Sequence, residues 1–138
     1  MYLLDTNVVS ELRRPRPNPS VVGWLAGVPA EHLFVSALTI GEIQAGIEIT
    51  RGQDPAKAEE LEGWLGEQVL GGYDILAMDA MAFREWARLM HRRSDTLMQD
   101  AMIAAVAVTN RMTVVTRNVR DFETLGVEVY NPFDARSA

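Results

Sequence analysis

The chain has no cysteine, one lysine and two histidines in 138 residues, and each shortage closes off some chemistry. Without cysteine there is no disulfide, no zinc–thiolate centre and no thiol nucleophile. His32 and His91 stand isolated, which argues against a histidine-bound zinc. No apolar run approaches the roughly 20 residues of a membrane helix, and the N-terminus lacks the basic region of a signal peptide; a cytoplasmic protein with no membrane partner is expected. The lone Lys57 lies among Asp54, Glu59, Glu60, Glu62 and Glu67, so residues 54–67 carry −4 of a net charge of −6. The pI near 4.9 argues at first against a nucleic-acid partner. The remaining basic residues are all arginine, and they cluster at Arg13, Arg14 and Arg16, at Arg84, Arg88, Arg92 and Arg93, and at Arg117 and Arg120. Arginine suits bidentate phosphate contact, although solvated helix faces are the plainer reading of any one cluster.

What is present is an ordinary globular composition, 48% hydrophobic and 23% charged, in a length that fits one domain, residues 1–138, with a core that needs no staples. The chain opens with the short apolar run Tyr2-Leu3-Leu4, stopped by Asp5. Thr6 or Asn7 is suited to cap a helix beginning near Val8. Asn18-Pro19 starts a short helix to about Ala26. Leu33-Phe34-Val35 reads as a second strand ending at Ser36, followed by a helix to about Thr50 that Gly52 terminates. Asp54-Pro55 caps a third, exposed helix through about Val69, closed by Gly71-Gly72. Ile75 to Met78 is a third strand, and Asp79 caps a helix from Ala80 to Arg92. Ser94, Asp95 or Thr96 opens a very apolar helix to about Asn110. Thr113-Val114-Val115 and Val127-Glu128-Val129 supply the fourth and fifth strands. Strands alternating with helices predict an α/β domain, a central parallel sheet of four to five strands flanked by helices on both faces.

Ligands of such sheets bind beyond the carboxyl ends of the strands, where Asp5 sits. Two other acids lie where a purely structural protein would not place them. One turn from Glu42 are Leu38, Thr39, Ala45 and Gly46; one turn from Asp100 are Thr96, Leu97, Ile103 and Ala104. An ionised carboxylate taken from water without a partner costs several kcal/mol at least. A buried ion pair with arginine would offset that cost, and so would a metal. Glu48, with Gln44 and Arg51 at turn spacing, reads as surface. Asn118 and Asp121 follow the fourth strand as Asp5 follows the first. If those strands are neighbours, the acids meet at one edge of the sheet. Hard oxygen donors without sulfur or paired histidine select Mg²⁺ or Mn²⁺.

Leu4-Asp-Thr-Asn-Val-Val-Ser-Glu11, Thr39-Ile-Gly-Glu42, Asp100-Ala-Met-Ile-Ala-Ala105 and Thr116-Arg-Asn-Val-Arg-Asp-Phe122 resemble the motifs of PIN domains, in order and at the right spacing. The likeness extends to the VapC/FitB toxins of type II toxin–antitoxin systems, and the Pro-Arg-Pro-Asn turn and Asn131-Pro132-Phe133 fit the FitB-like branch. It implies a Mg²⁺-dependent endoribonuclease with an RNA substrate, a homodimer, and a cognate VapB/FitA-like antitoxin through which operator DNA is reached. It also implies Asp5, Glu42 and Asp100 as catalytic acids, with Asp5 and Asp100 as direct metal ligands and Thr6 and Thr116 in support. Asn118 stands where many relatives have an acid, which leaves Asn118 and Asp121 as rival candidates to complete the site. Trp24, Trp64, Trp86, Met78, Met81 and Met90 include candidates for a dimer interface. Two other function classes were weighed. A phosphotransfer enzyme with Asp5 as nucleophile lacks the second Asp of an Asp-x-Asp motif. A toxin-like dimeric subunit that serves mainly to bind antitoxin and operator DNA remains the alternative.

Overall fold

The computed structural model describes residues 1–134. In chain order it contains β1 (Tyr2–Leu4), α1 (Thr6–Glu11), α2 (Pro19–Ala26), β2 (Leu33–Ser36), α3 (Ala37–Arg51), α4 (Pro55–Trp64), β3 (Asp74–Leu76), α5 (Ala80–Met90), α6 (Met98–Asn110), β4 (Thr113–Val115), α7 (Val119–Thr124) and β5 (Val129–Tyr130). The five strands pair in parallel in the order β3-β2-β1-β4-β5. Leu4 lies opposite Val35 on one side and Val115 on the other, so β1 is central and strand order reverses between β1 and β4. That reversal leaves a crevice at the carboxyl edge, the usual ligand position of such sheets.

Alternation along β1 and β4 sends side chains to two cores. Leu4 and Val115 pack with α1 to α4, through Val8, Val9, Val21, Ile43, Ile47, Ala58 and Leu61. Leu3 and Val114 pack with α5 to α7, through Ala82, Ile103, Ala104, Val106 and Phe122. Fully burying each Leu or Val stabilises the fold by about 1.5–3 kcal/mol. Helices thus cover both faces, as expected. No helix among the described residues is long and apolar enough to cross a membrane.

Several boundaries differ from the sequence reading, each for a local reason. Helix α1 begins at Thr6 because Asp5 is itself the cap, accepting the Thr6 N–H at 2.8 Å. The helix after Asp54-Pro55 is not exposed on all sides: Ala58, Leu61, Leu65 and Val69 are buried, and α4 continues through a π-helical stretch, Leu65–Leu70. It stops where a Cβ on Gly71 would stand 2.7 Å from the Glu67 carbonyl oxygen and one on Gly72 would collide with that of Gln68. β3 starts one residue earlier, at Asp74, and ends at Leu76. Ser94 caps a 3-10 turn, Asp95–Leu97, that leads into α6. β5 is Val129–Tyr130, displaced by α7, a helix absent from the sequence reading. Gly126, at φ +78°, closes α7 in the left-handed conformation that favours glycine.

Candidate active site

The site is built outward from the end of β1. Asp5 is buried, and its two carboxylate oxygens do different work. Oδ1 caps α1 through the Thr6 N–H. Oδ2 accepts the Thr116 hydroxyl at 2.8 Å and Asn7 Nδ2 at 3.2 Å. One side chain therefore both starts helix α1 and joins β1 to the loop after β4. Burial raises the Asp5 pKa above the ordinary carboxylate value, and the hydrogen bonds from Thr116, Thr6 and Asn7 oppose the rise. Thr116 is the junction. Its Oγ1 donates to Asp5 and accepts Asn7 Nδ2 at 3.2 Å and the Asn118 N–H at 2.9 Å.

Glu42 is brought in by α3, whose start is set by Ser36 accepting the Leu38 N–H at 3.1 Å. Its Oε1 is the one buried side-chain oxygen or nitrogen without a hydrogen-bond partner among the described residues. Burial raises its pKa first, then the charge of Asp5, with Asp100 adding a smaller push; the neighbouring Thr6 hydroxyl works the other way. Thr6 also donates to Thr39 at 3.0 Å, which ties α1 to α3 behind the acids. Asp100 comes from the first turn of α6 and is half-buried. Its pKa is pushed up to about 6, by burial and then by the charges of Asp5 and Asp121, against a hydrogen bond from Asn118.

Asn118 does not present its amide as an acid would. Its Nδ2 donates to Asp100 Oδ2 at 2.9 Å and to Asp121 Oδ2 at 3.0 Å, so one neutral group bridges two carboxylates. Asp121 lies in the first turn of α7 rather than in a loop. Asn7 has a larger part than the sequence suggested. Considered there only as a possible helix cap, it links Asp5, Thr116 and the Arg117 N–H, which its Oδ1 accepts at 3.1 Å. The Asp-Thr-Asn motif was the only sequence signal for it.

The charge of Asp5 thus raises the pKa of both Glu42 and Asp100, Asp100 adds to the rise at Glu42, and no ion pair reaches any of the three among the described residues. An oxygen-only donor set, an orphaned Glu42 oxygen and uncompensated burial are what a hard divalent cation would relieve. Among the described residues no three acidic or histidine side chains stand in ligating geometry.

Residues 2–127 match the PIN domain family. The chain is 36% identical over 142 residues to the plasmid stability protein StbB of Pseudomonas syringae pv. tomato, covering 98% of this chain and all of that protein. It is 32% identical to the toxin FitB of Neisseria gonorrhoeae (96% and 99% covered) and 31% identical to a VapC ribonuclease of Sinorhizobium fredii (97% and 99%). The crystal structure of FitAcB from Neisseria gonorrhoeae superposes with a TM-score of 0.86 at 32% identity, over 96% of this chain and 99% of that one. A FitAB structure bound to a DNA fragment gives 0.85 at 33%, over 97% and 96%. With motifs, sheet order and backbone in agreement over almost its whole length, the chain belongs to the PIN-domain family.

Proposed function

We propose that this chain is a Mg²⁺-dependent endoribonuclease, the toxin of a toxin–antitoxin pair. The observation that carries this reading is the cation-free meeting of Asp5, Glu42 and Asp100 at the carboxyl edge, with Glu42 Oε1 unpartnered. Ribonuclease and toxin names among the relatives support the reaction class and the pairing. Asp5 and Asp100 would hold Mg²⁺, or Mn²⁺ in its place. The ion supplies the positive charge that binds a phosphodiester and acidifies a water. Glu42, its pKa raised by burial and then by the charge of Asp5, would position the attacking water or accept its proton. Thr116 and Asn7 hold Asp5 in one orientation, and Asn118 holds Asp100 against Asp121.

An antitoxin has a fitting place. A groove of about 170 Å³ between α1, α3 and α4 is lined by Thr6, Ser10, Arg13, Glu42, Ile47 and Trp64 and opens onto Glu42. An apolar helix laid there would carry an arginine to the acids, whose geometry matches its fork. Self-association is part of the same reading. Of the Trp and Met set, Trp24 and Trp64 pack against the core, as do Met78 and Met90, while Met81 and its neighbour Phe83 on α5 are exposed. A light-scattering mass near twice 15.3 kDa is expected; a monomer mass at micromolar concentration removes this part.

The deciding experiment is cleavage of defined single-stranded RNAs with Mg²⁺ or Mn²⁺, with EDTA and Asp100→Asn as controls. Cleavage that needs both the ion and Asp100 is expected. No cleavage under any divalent ion, with tight antitoxin and operator binding retained, favours the alternative of a DNA-bound regulatory subunit. The FitAB structure bound to DNA is the observation behind that alternative.

A further inference from the structure

A second feature shares a wall with the carboxylates. A crevice of about 240 Å³ beside α1 is lined by Asn7, Ser10, Glu11, Arg13, Arg14 and Arg117, enough space for roughly eight waters. Its inner end is Asn7, the residue that reaches Asp5 and Thr116 on one side and the Arg117 N–H on the other. Three arginines face one acid. Glu11 is buried and already engaged, accepting the Asn18 N–H at 2.9 Å and standing 3.7 Å from Arg14. Arg13 and Arg117 have no ion pair among the described residues, whereas Arg51 and Arg88 do. In a chain with net charge −6, two such cations beside an acid cluster mark a local reversal of sign.

Arg117 is also held in place. Its guanidinium lies 3.8 Å above the Phe133 ring and its backbone is pinned by Asn7. Stacking leaves the edge of the guanidinium fork free to donate, and a side chain already ordered loses little entropy on binding. Pro15 and Pro17 restrict the turn that carries Arg13, and the Glu11–Asn18 bond closes it.

We infer that this crevice grips a phosphate of the RNA backbone adjacent to the scissile one, through Arg13 and Arg117. The inference rests on the endoribonuclease reading. RNA is favoured over an acidic protein segment because Asn7, which lines the crevice, is hydrogen-bonded to Asp5 of the proposed cleavage site. An acidic protein also needs a local source of backbone affinity, which arginine–phosphate contacts provide.

The test is binding of a fluorescein-labelled single-stranded RNA in EDTA, followed by anisotropy across a salt series. Arg13→Ala and Arg117→Ala should each weaken binding about fivefold to tenfold, and each should lower the salt slope by about 0.7, the value of one phosphate contact on a single strand. Arg117→Lys should restore the slope and only part of the affinity. Arg16→Ala, on the same turn but not lining the crevice, should change neither. Mn²⁺ binding by calorimetry should be unaltered in all four variants. Arg13 is exposed on a turn, so Arg13→Ala tests the idea even if Arg117→Ala folds poorly. Wild-type affinity and slope in Arg13→Ala overturn the assignment. So does loss of antitoxin binding with RNA affinity intact, which makes the crevice a protein-docking site. If Arg13→Ala and Arg117→Ala match a wild-type chain that does cleave RNA, only the crevice assignment fails. A wild-type chain that neither binds nor cleaves RNA brings down the nuclease reading as well.

Discussion

Helix α3 carries two glutamates six residues apart that live in opposite worlds. Glu48 accepts Gln44 Nε2 at 2.7 Å and Arg51 Nε at 3.0 Å, and the same arginine reaches Glu62. Its pKa is lowered, by the hydrogen bond from Arg51 first. Glu42, at the amino half of the helix, has a buried oxygen with no partner and a raised pKa. The chain has arginines to spare, and one of them, Arg13, lines the groove that Glu42 also lines. An arginine at ion-pair distance would have removed the cost of burying Glu42. Its absence shows that the structure tolerates an unfavourable acid cluster at the sheet edge while neutralising ordinary acids elsewhere. Three carboxylates with raised pKa values in one cleft give a physical rationale for a candidate site.

The comparison breaks most visibly at Asp100. Asp100→Asn should lower divalent-ion affinity and RNA cleavage by about 100-fold or more, on the order of 3 kcal/mol of lost interaction, while Tm in EDTA stays the same or rises. Unchanged Mn²⁺ binding by calorimetry would show that the acids do not form a metal site.

Asn118 sharpens the contrast from inside the cluster. Asn118→Asp replaces a bridging donor with a third carboxylate against Asp100 and Asp121. Without metal it should cost about 1 kcal/mol of stability; with metal it should tighten binding about tenfold, the scale of a supporting partner. Asp121→Ala reports through the same amide. If it leaves Mn²⁺ affinity untouched, Asp121 serves only to hold Asn118.

A smaller effect separates the two regions by pH. Between about pH 4 and pH 6 the folded chain keeps a proton on Asp100 that the unfolded chain has lost, so stability from this group falls as pH rises through that window. Raised values at Asp5 and Glu42 act with the same sign. Glu48 acts oppositely: its stabilisation is complete above the ordinary glutamate pKa of 4.5 and is lost as pH falls below it. In EDTA the Tm should therefore be higher near pH 5 than at pH 7, and saturating Mg²⁺ should erase or invert the slope. A Tm that climbs steadily from pH 5 to 7 in EDTA contradicts this. The smallest effect belongs to the paired region. Glu48→Gln should leave cleavage unchanged and lower Tm slightly, by an amount that disappears in high salt because the pair is exposed.

What the sequence revealed and what it hid follow a physical rule. β1, β2 and β4 were readable because each is a short apolar run stopped by a polar residue, at Asp5, Ser36 and Thr116, whereas β5 shares only Val129 with the strand expected there. Alternation of strands and helices gave a parallel sheet but not its order; the neighbourhood of β1 and β4 was a condition of the reading that the pairing meets. Asp5 stood out because it ends the first strand, and Glu42 and Asp100 because their one-turn neighbours lack charge. Ala45 and Gly46, beside Glu42, are nonetheless exposed, with Gly46 lining a groove rather than packing in a core. Partners distant along the chain were not readable. The role of Asn7 depends on Thr116, 109 residues away, and nothing local to Asp-Thr-Asn records that distance. The amide orientation of Asn118 is set by two carboxylates, one of them on another helix. The π-helical continuation of α4 was hidden for another reason: its buried Leu65 and Val69 keep a spacing an α-helix would also show.

The bond between Thr116 and Asp5 spans 111 residues, and it bears on how the chain comes into being. A ribosome delivers Asp5 111 residues before Thr116. Until then β1 has β2 on one side and an open edge on the other, and Asp5 lacks both the hydroxyl that orients it and the wall that Asn118 and Arg117 complete. A nascent or prematurely released chain ending before β4 therefore carries the first acid without the site. The Thr116 side of this hydrogen-bond network is completed only when the central strand gains its second neighbour.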